Sequence, residues 1–513
     1  MDTIPWLTLL ALVPLIGSLV VALMPERSDL VARKVALIFA IIPVAIVIVM
    51  GLLFKPDAAE PFQFTEKVSW MPTLGVNYSL GVDGIALVLL AMTAVLVPIV
   101  MIAGWNEADE SPTGASPKGY FALILALEAC LFMVFSATDV FLFYVFFEVM
   151  LIPMFYLIGR YGGPQRQYAA MKFLIYSLLG GLLMLAALIG LYVASARQTG
   201  AATFDFLSLV NVNLDPATQK MLFLGFFFAF AVKAPMVPFH TWLPDAAAES
   251  KPGTTILMVG VMDKVGTFGM LRLCLPLFPE ASKYFAPVII ILAVIGIIYG
   301  ALLAIGQSNM LRLVSYTSIS HFGFIVLGIF AFTTQSQSGS TLYMVNHGLT
   351  TAALLALVGY LIARRGSTQI ADYGGVSKVA PVLAGLFLIA GLSSVALPGL
   401  ASFVSEFLVL LGTFTTYPWA AAVATLGVIL AAIYILWWYQ RVMTGPVKPA
   451  CEGMTDLTGR EKAGVAPVIA LLIVLGFFPQ LLLNDINPAV DRVMASTGQT
   501  DPPPAVPIAG EAK

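Results

Sequence analysis

The sequence carries ionisable side chains inside long apolar stretches, where a charge is costly. Six of them are central: Glu148, Lys233, Lys264, His321, His347 and Glu406. A lysine at the centre of a bilayer costs roughly 2.5–3.5 kcal/mol on insertion scales, so each such residue is a functional-site candidate. Carboxylates, amines and imidazoles exchange protons, and these residue types therefore predict proton transfer. A lone histidine could instead hydrogen-bond a neighbouring helix, but several buried charges together favour a function.

Glu148 and Lys233 predict a charge switch. Burial favours the neutral form of a lysine, whereas a neighbouring carboxylate favours the ammonium form. Lys233 would therefore keep its proton while Glu148 is close, and would pass it on when the two separate. Beyond this pair we expect Lys264, His321 and His347 as relays and Glu406 as the exit, with Glu128, Asp263 and His240 as auxiliary groups.

Such a switch needs a source of energy outside this chain. Moving one charge against 100 mV costs about 2.3 kcal/mol. The sequence contains no GxGxxG or other nucleotide-binding motif. The cysteines Cys130, Cys274 and Cys451 lack the spacing of a metal site. We therefore expect no metal and no redox cofactor in this chain.

The composition indicates a membrane protein. Of 513 residues, 59% are hydrophobic and 11% are charged, whereas soluble domains carry about 25% charged residues. The net charge of −2 excludes the basic footprint of a nucleic-acid-binding protein. The lipid bilayer is thus the expected surrounding, with no nucleic acid as partner.

Hydrophobic runs predict an all-α polytopic membrane protein with about fourteen transmembrane helices. The predicted spans are residues 3–24, 33–54, 84–104, 118–137, 139–159, 168–195, 218–238, 253–276, 284–306, 310–332, 340–363, 380–413, 418–443 and 464–483. The first span lacks a basic n-region and is interpreted as a retained helix. The connection 55–83 is expected to be an external loop with a short hairpin.

Spans seven and twelve are predicted to be broken. Pro235 follows Lys233 in span seven, and proline removes a helix hydrogen bond. Span twelve would be roughly 50 Å long as one helix, against a bilayer core of about 30 Å, and it contains Pro398. The two breaks lie five spans apart, and an odd offset inverts the second copy relative to the first. This is the pattern of inverted repeats with broken helices.

Four regions follow from this pattern. Residues 1–117 form helices 1–3 with the external loop, residues 118–276 the first five-helix repeat (helices 4–8), and residues 284–443 the inverted second repeat (helices 9–13). Residues 444–513 hold the last helix and a disordered tail, which is expected to start after Asn484. This tail is rich in proline, with Pro502, Pro503, Pro504 and Pro507.

The loop charges predict the orientation. Lys and Arg are concentrated in the odd-numbered loops, for example at Arg33, Lys172 and Arg364. The positive-inside rule therefore predicts cytoplasmic odd loops and both termini outside. The charged termini favour the bacterial plasma membrane over the mitochondrial inner membrane.

Several segments resemble motifs of the antiporter-like membrane subunits of respiratory complex I. Residues 239–250, FHTWLPDAAAES, look like the signature FHxWLPxAHxEAP. Four further segments resemble successive motifs of the M type (mitochondrial subunit 4 type): residues 135–158, 311–324, 346–355 and 397–407. The similarity extends from about residue 84 to about residue 445 and so covers most of the chain.

The resemblance implies roles for the buried residues. The matching positions are a first-half pair at Glu148 and Lys233, a central lysine at Lys264, relays at His321 and His347, a terminal residue at Glu406 and a second carboxylate at Glu128. Glu406 favours the M type, since L, N and Mrp subunits usually carry lysine there. Two positions depart from the family: Ala247 replaces the second histidine of the signature, and Asp263 stands where the family is usually apolar.

The resemblance implies a proton-translocating subunit of NADH:quinone oxidoreductase, which couples quinone reduction in partner subunits to proton pumping. The implied partners are L-type, N-type and small membrane subunits and a hydrophilic NADH-oxidising arm. Quinone, FMN and iron–sulfur clusters would belong to those partners. Three alternatives stay open: an Mrp-type cation/proton antiporter subunit, a membrane subunit of an energy-converting hydrogenase, and a scaffold without a proton path.

Overall fold

The computed structural model describes residues 4–25, 28–109 and 111–502. The N-terminal part contains α1 (Trp6–Leu23), α2 (Asp29–Leu53), β1 (Gln63–Met71), β2 (Val76–Val82), α3 (Gly84–Ala103), α4 (Pro117–Ser136), α5 (Val140–Val149), α6 (Leu151–Tyr161) and α7 (Arg166–Thr199). The central part contains α8 (Phe206–Val210), α9 (Pro216–Lys233), α10 (Trp242–Glu249), α11 (Pro252–Thr255), α12 (Lys264–Gly269) and α13 (Leu275–Leu277).

The remainder contains α14 (Pro279–Ile305), α15 (Met310–Phe330), α16 (Thr334–Arg365), α17 (Pro381–Ser394), α18 (Ala401–Thr416), α19 (Pro418–Met443), α20 (Gly459–Phe477) and α21 (Gln480–Thr497). The chain is thus mostly helical. The all-α prediction needs one correction, because β1 and β2 pair as an antiparallel hairpin. That hairpin lies in the connection 55–83, where the sequence predicts one.

A buried helical core is surrounded by helices that face lipid. In the apolar windows of α15 and α16, 94% and 89% of the residues are buried, against 28% in α2. The outer helices α2, α7, α14 and α19 expose large aliphatic side chains such as Ile38, Leu182 and Leu302. Since lipid tails are as apolar as leucine, such faces are expected on helices at the rim of a membrane bundle. The chain is a multi-pass membrane protein.

Ten helices in the described ranges are long and apolar enough to cross a membrane, or eleven when the bent pair α20 and α21 counts as one span. The sequence predicts about fourteen. The two numbers differ because the residues of predicted spans seven, eight and twelve are divided among shorter or irregular helices.

Both predicted helix breaks are present. Helix α9 ends at Lys233, directly before Ala234 and Pro235. Proline has no N–H to donate and disfavours helical conformation in the preceding residue, so the helix cannot continue. Helix α17 ends at Ser394, and α18 begins at Ala401 on the other side of Pro398.

Predicted span eight is irregular, which the sequence did not indicate. Two π-helical turns, Ile256–Met262 and Met270–Cys274, lie on either side of α12. Single π turns within helices occur frequently at functional sites. Here they lie on both sides of the segment that carries Lys264.

The C-terminal helix of the structure extends further than the sequence predicts. The sequence predicts an irregular tail after Asn484, but α21 continues to Thr497. Its buried residues Ile486, Val490 and Val493 recur at helical spacing and pack on the bundle, and this burial stabilises the helix. Residues 503–513, with Pro503, Pro504 and Pro507, lie outside the described part of the chain.

Candidate functional site: a row of buried ionisable side chains

Lys233 is the last residue of α9 and is 1% exposed. Its ammonium nitrogen lies 5.3 Å from the ring centre of Phe147 on α5 and 5.4 Å from that of Phe173 on α7. Within the described residues it has no hydrogen-bond partner. An ammonium group that contacts aromatic faces and has no hydrogen-bond partner responds strongly to a nearby carboxylate.

Glu148 on α5 is one such carboxylate. It acts electrostatically on Lys233, although no direct ion pair joins the two side chains in the described structure. Its carboxylate lies against Gly181 of α7, where an added Cβ would stand 1.6 Å from Oε1. The absence of a side chain at Gly181 therefore creates the space that the carboxylate occupies.

Asp263 and Lys264 lie at the start of α12 and are both fully buried. Gly266 brings this helix onto the end of α9, because its Cβ position would be 2.6 Å from the backbone nitrogen of Ala234. This contact places the Asp263–Lys264 pair beside the break that carries Lys233. Asp263 acts electrostatically on both lysines.

Lys264 is joined directly to the second half of the protein. Its Nζ donates to the carbonyl oxygen of Val259 at 2.8 Å and lies 2.6 Å from Nδ1 of His347 on α16. The same nitrogen is 4.4 Å from the ring centre of Phe322. Since the Lys264 ammonium can only donate, His347 Nδ1 accepts this hydrogen bond. The proton of the neutral imidazole is then on His347 Nε2, which donates to the hydroxyl of Thr351 at 3.3 Å.

From His347 the row continues to Glu406. The rings of His347 and His321 lie 5.3 Å apart, centre to centre. His321 Nδ1 is 2.7 Å from the Tyr343 hydroxyl, and this hydroxyl donates to Glu406 Oε2 at 2.7 Å. The Tyr343 hydroxyl has one hydrogen, which it donates to Glu406, so it accepts from His321 Nδ1. His321 Nε2 therefore carries no hydrogen and accepts from the hydroxyl of Ser394 at 3.2 Å.

These contacts form a buried row of proton-exchanging groups across the bundle: Glu148, Lys233, Asp263, Lys264, His347, His321, Tyr343 and Glu406. The first three groups interact at a distance, and the last five follow each other through hydrogen bonds or ring contact. Both helix breaks lie along the row. Helix ends at these points leave backbone groups free to hydrogen-bond, which is how membrane proteins form polar sites inside a bilayer.

Comparison with known proteins agrees with this geometry. Residues 137–433, more than half of the chain, match the family model described as NADH:quinone oxidoreductase/Mrp antiporter, TM. The chain belongs to this family. A relative from Mycobacterium tuberculosis, "NADH-quinone oxidoreductase subunit M", is 55% identical over 99% of this chain and 97% of its own length. The "NADH-ubiquinone oxidoreductase chain 4" of Marchantia polymorpha is 36% identical over 94% of this chain and 96% of its own length.

Two solved structures show the same fold. A chain of respiratory complex I from Thermus thermophilus superposes with a TM-score of 0.87 at 30% identity, over 96% of this chain and all of that chain. A chain of the Mrp complex from Dietzia superposes with a TM-score of 0.83 at 20% identity, over 96% of this chain and 99% of that chain. At that identity the second comparison supports the fold alone.

Two predicted auxiliary residues, Glu128 and His240, have no described contact with the row. Glu128 on α4 is fully buried, and in the described structure neither of its carboxylate oxygens has a hydrogen-bond partner. His240 follows the break after α9 and packs on Tyr299, with ring centres 5.1 Å apart. The described contacts connect neither residue to the row.

Sequence reasoning missed two members of the site, Tyr343 and Ser394. Tyr343 precedes His347 by four residues on α16, so the two side chains share one helix face. That spacing is a signal that could have indicated Tyr343. Ser394 ends α17 directly before the second break, and its contact with His321 joins residues 73 positions apart, so no local pattern indicates it.

No cluster of three or more His, Cys, Asp or Glu side chains suited to a metal ion occurs in residues 4–25, 28–109 and 111–502. Amines, imidazoles, a phenol and carboxylates within contact of one another can pass protons without a cofactor.

Proposed function

We propose that this chain is the M-type, proton-translocating membrane subunit of an NADH:quinone oxidoreductase. The observation that carries the proposal is the buried row from Glu148 to Glu406, in a chain that is 55% identical to a subunit M. A buried charge is expensive, and a purely structural scaffold would not need so many in contact.

The geometry supports a stepwise mechanism. Lys233 holds a proton while the Glu148 carboxylate acts on it, and releases the proton when that influence is withdrawn. Lys264 receives the charge and shares it with His347 through their 2.6 Å contact. His321 and Tyr343 then connect His347 to Glu406, the terminal group beside the second helix break.

The energy for this cycle comes from partner subunits. Quinone reduction there, with electrons from NADH through FMN and iron–sulfur clusters, drives the change at Glu148 and Lys233. The membrane partners are L-type, N-type and small subunits, and the NADH-oxidising arm lies outside the membrane. The complete coverage of one chain of the Thermus thermophilus complex I structure supports this assembly.

The proposal includes the finer architecture. The bundle has fourteen spans, with two inverted five-helix repeats at residues 118–276 and 284–443, after the N-terminal region 1–117 and before region 444–513. The two helix breaks, at Pro235 and at Pro398, lie five predicted spans apart and support the repeats. The chain lies in a bacterial plasma membrane with both termini outside.

The test is Lys233→Ala, with Glu148→Gln as a second variant, in the assembled enzyme. Inverted membrane vesicles are given NADH, and acidification of the lumen is followed with a fluorescent dye. NADH oxidation by an artificial electron acceptor reports how much enzyme is assembled. We expect pumping per assembled enzyme to fall by about tenfold or more, since a positioned acid–base group contributes typically 10²–10⁴-fold.

A matched control is Lys220→Ala, which removes a lysine from the same helix. Lys220 lies over the ring of Tyr284, 3.3 Å from its centre and away from the row, and its loss should leave pumping unchanged. Full pumping by an assembled Lys233→Ala enzyme would refute the proposal. The family model also covers Mrp antiporters, and this second function would be favoured if the chain purified in a complex without NADH dehydrogenase activity.

A further inference from the structure

Asp263 is a fully buried carboxylate whose two oxygens have no hydrogen-bond partner in the described part of the chain. Burying a charge without hydrogen bonds is costly. Such a group persists in a folded protein when nearby charges compensate for it or when its function requires it. The roles that the family resemblance implies for the buried residues do not include this one.

Other buried aspartates of the same protein behave differently. Asp83 binds Arg272 at 2.5 Å and accepts from the backbone nitrogen of Ala86. Asp139 accepts from backbone nitrogens at the start of α5. These carboxylates have the partners expected of structural groups, and Asp263 does not.

The position of Asp263 explains what compensates for it. Asp263 and Gly266 are three residues apart and share one side of α12. The Gly266 side touches α9, where an added Cβ would stand 2.6 Å from Ala234 N and 2.7 Å from the carbonyl oxygen of Phe230. Lys233 is the residue directly before Ala234, and its ammonium is also without a hydrogen-bond partner among the described residues.

Lys233 therefore has two carboxylates within electrostatic reach. Glu148 acts on it from α5, and Asp263 acts on it from the residue directly before α12. Asp263 acts on Lys264 as well. The carboxylate thus interacts with both lysines at the point where the two halves of the row meet.

We propose that Asp263 is the second carboxylate partner of Lys233 and carries protons from Lys233 to Lys264. In the first step, the Lys233 ammonium gives its proton to the Asp263 carboxylate, leaving a neutral amine and a carboxylic acid. In the second step, the acid gives this proton to the neutral amine of Lys264 and becomes a carboxylate again. One proton moves and no other reactant is needed. The inference rests on the proposed proton-translocating function.

The experiment compares Asp263→Asn and Asp263→Glu in the assembled enzyme. Asparagine keeps the size of the side chain but cannot carry the proton, whereas glutamate can. We expect pumping per assembled enzyme to fall about tenfold or more with asparagine and to be largely restored with glutamate. Asp215→Asn, at the exposed start of α9, is the control that loses an aspartate outside the row.

Infrared difference spectra give an independent readout. A carboxyl group that gains and loses a proton shows a C=O stretching band during turnover, and a static structural carboxylate does not. The band of the Asp263 carboxyl group should be present in the native enzyme, shifted in the Asp263→Glu variant and absent in the Asp263→Asn variant. If the asparagine variant does not assemble, the glutamate variant alone must pump and show the shifted band.

The possible failures are distinguishable. Normal pumping with Asp263→Asn together with lost pumping in Lys233→Ala would overturn the role of Asp263 alone. Normal pumping in both variants would overturn the proposed function as well. Lost pumping that glutamate does not restore, with no change in the carboxyl band, would make Asp263 a structural residue.

Discussion

Replacing Tyr343 by phenylalanine removes the single oxygen that joins His321 to Glu406. That hydroxyl makes two contacts of 2.7 Å, one to each neighbour. The ring itself stays in place, because it is fully buried and packs edge-on against His321 with ring centres 5.8 Å apart. The substitution therefore interrupts the row with little change to the packing.

The structure sets the size of the expected effect. A hydrogen bond to a charged group contributes about 1.5–3 kcal/mol. If proton passage needs this bond, its loss raises the barrier by a similar amount, and each 1.36 kcal/mol is about tenfold in rate. We therefore expect pumping per assembled enzyme to fall by about ten- to a hundredfold.

The assay is NADH-driven acidification of inverted vesicles, normalised to assembled enzyme. Tyr360→Phe is the matched control, since Tyr360 lies on the same helix and donates instead to the carbonyl oxygen of Glu461 at 3.2 Å. Combining Tyr343→Phe with Glu406→Gln should cost little more than one change alone, because residues acting as one unit are not additive. Native pumping rates in an assembled Tyr343→Phe enzyme would show that protons do not pass through this hydroxyl.

Two further predictions follow from other contacts. Gly181→Ala should displace the Glu148 carboxylate, since the new Cβ would stand 1.6 Å from Oε1. Pumping should therefore fall while the enzyme still assembles. Gly51→Ala is the control: its Cβ would meet no atom within 4 Å, so it should change neither pumping nor assembly. Burial would raise the pKa of Asp205, but its 2.9 Å hydrogen bond to Lys67 and its bonds to Ser208 outweigh this and hold the pKa below 3.8. The stability from this carboxylate is therefore present above pH 3.8 and lost as pH falls through the lowered pKa. Lys67→Met should lower the melting temperature of the purified complex slightly at pH 7, by an interaction worth at most about 1 kcal/mol, and the difference should shrink on acidification; a difference independent of pH would contradict this assignment.

Much of the candidate site could be predicted without a structure. Lys233 and Glu406 are recognisable because a charge inside an apolar run is costly wherever that run packs. The helix breaks are recognisable because the restrictions that proline imposes act on its immediate neighbours. Hydropathy, insertion cost and proline geometry are local properties, and the sequence expresses them directly.

The number of continuous spans could not be predicted in the same way. Hydropathy treats residues 253–276 as one helix, but the structure interrupts them with two π turns around α12. The sequence also predicts a tail after Asn484 where the structure has α21, because the apolar side of this helix becomes clear only when the surface that it covers is known. Both differences arise from packing between segments that are distant in sequence.

The sequence by itself determined the membrane setting, the six central ionisable residues and the two helix breaks. Only the tertiary structure decided how those residues connect. Lys264 reaches His347 across 83 positions of sequence, and Tyr343 reaches Glu406 across 63. The space for Glu148 at Gly181 and the approach of α12 to Lys233 depend on close backbone packing between helices. Such contacts depend on how whole helices fit together, and no local pattern of residue types records that fit.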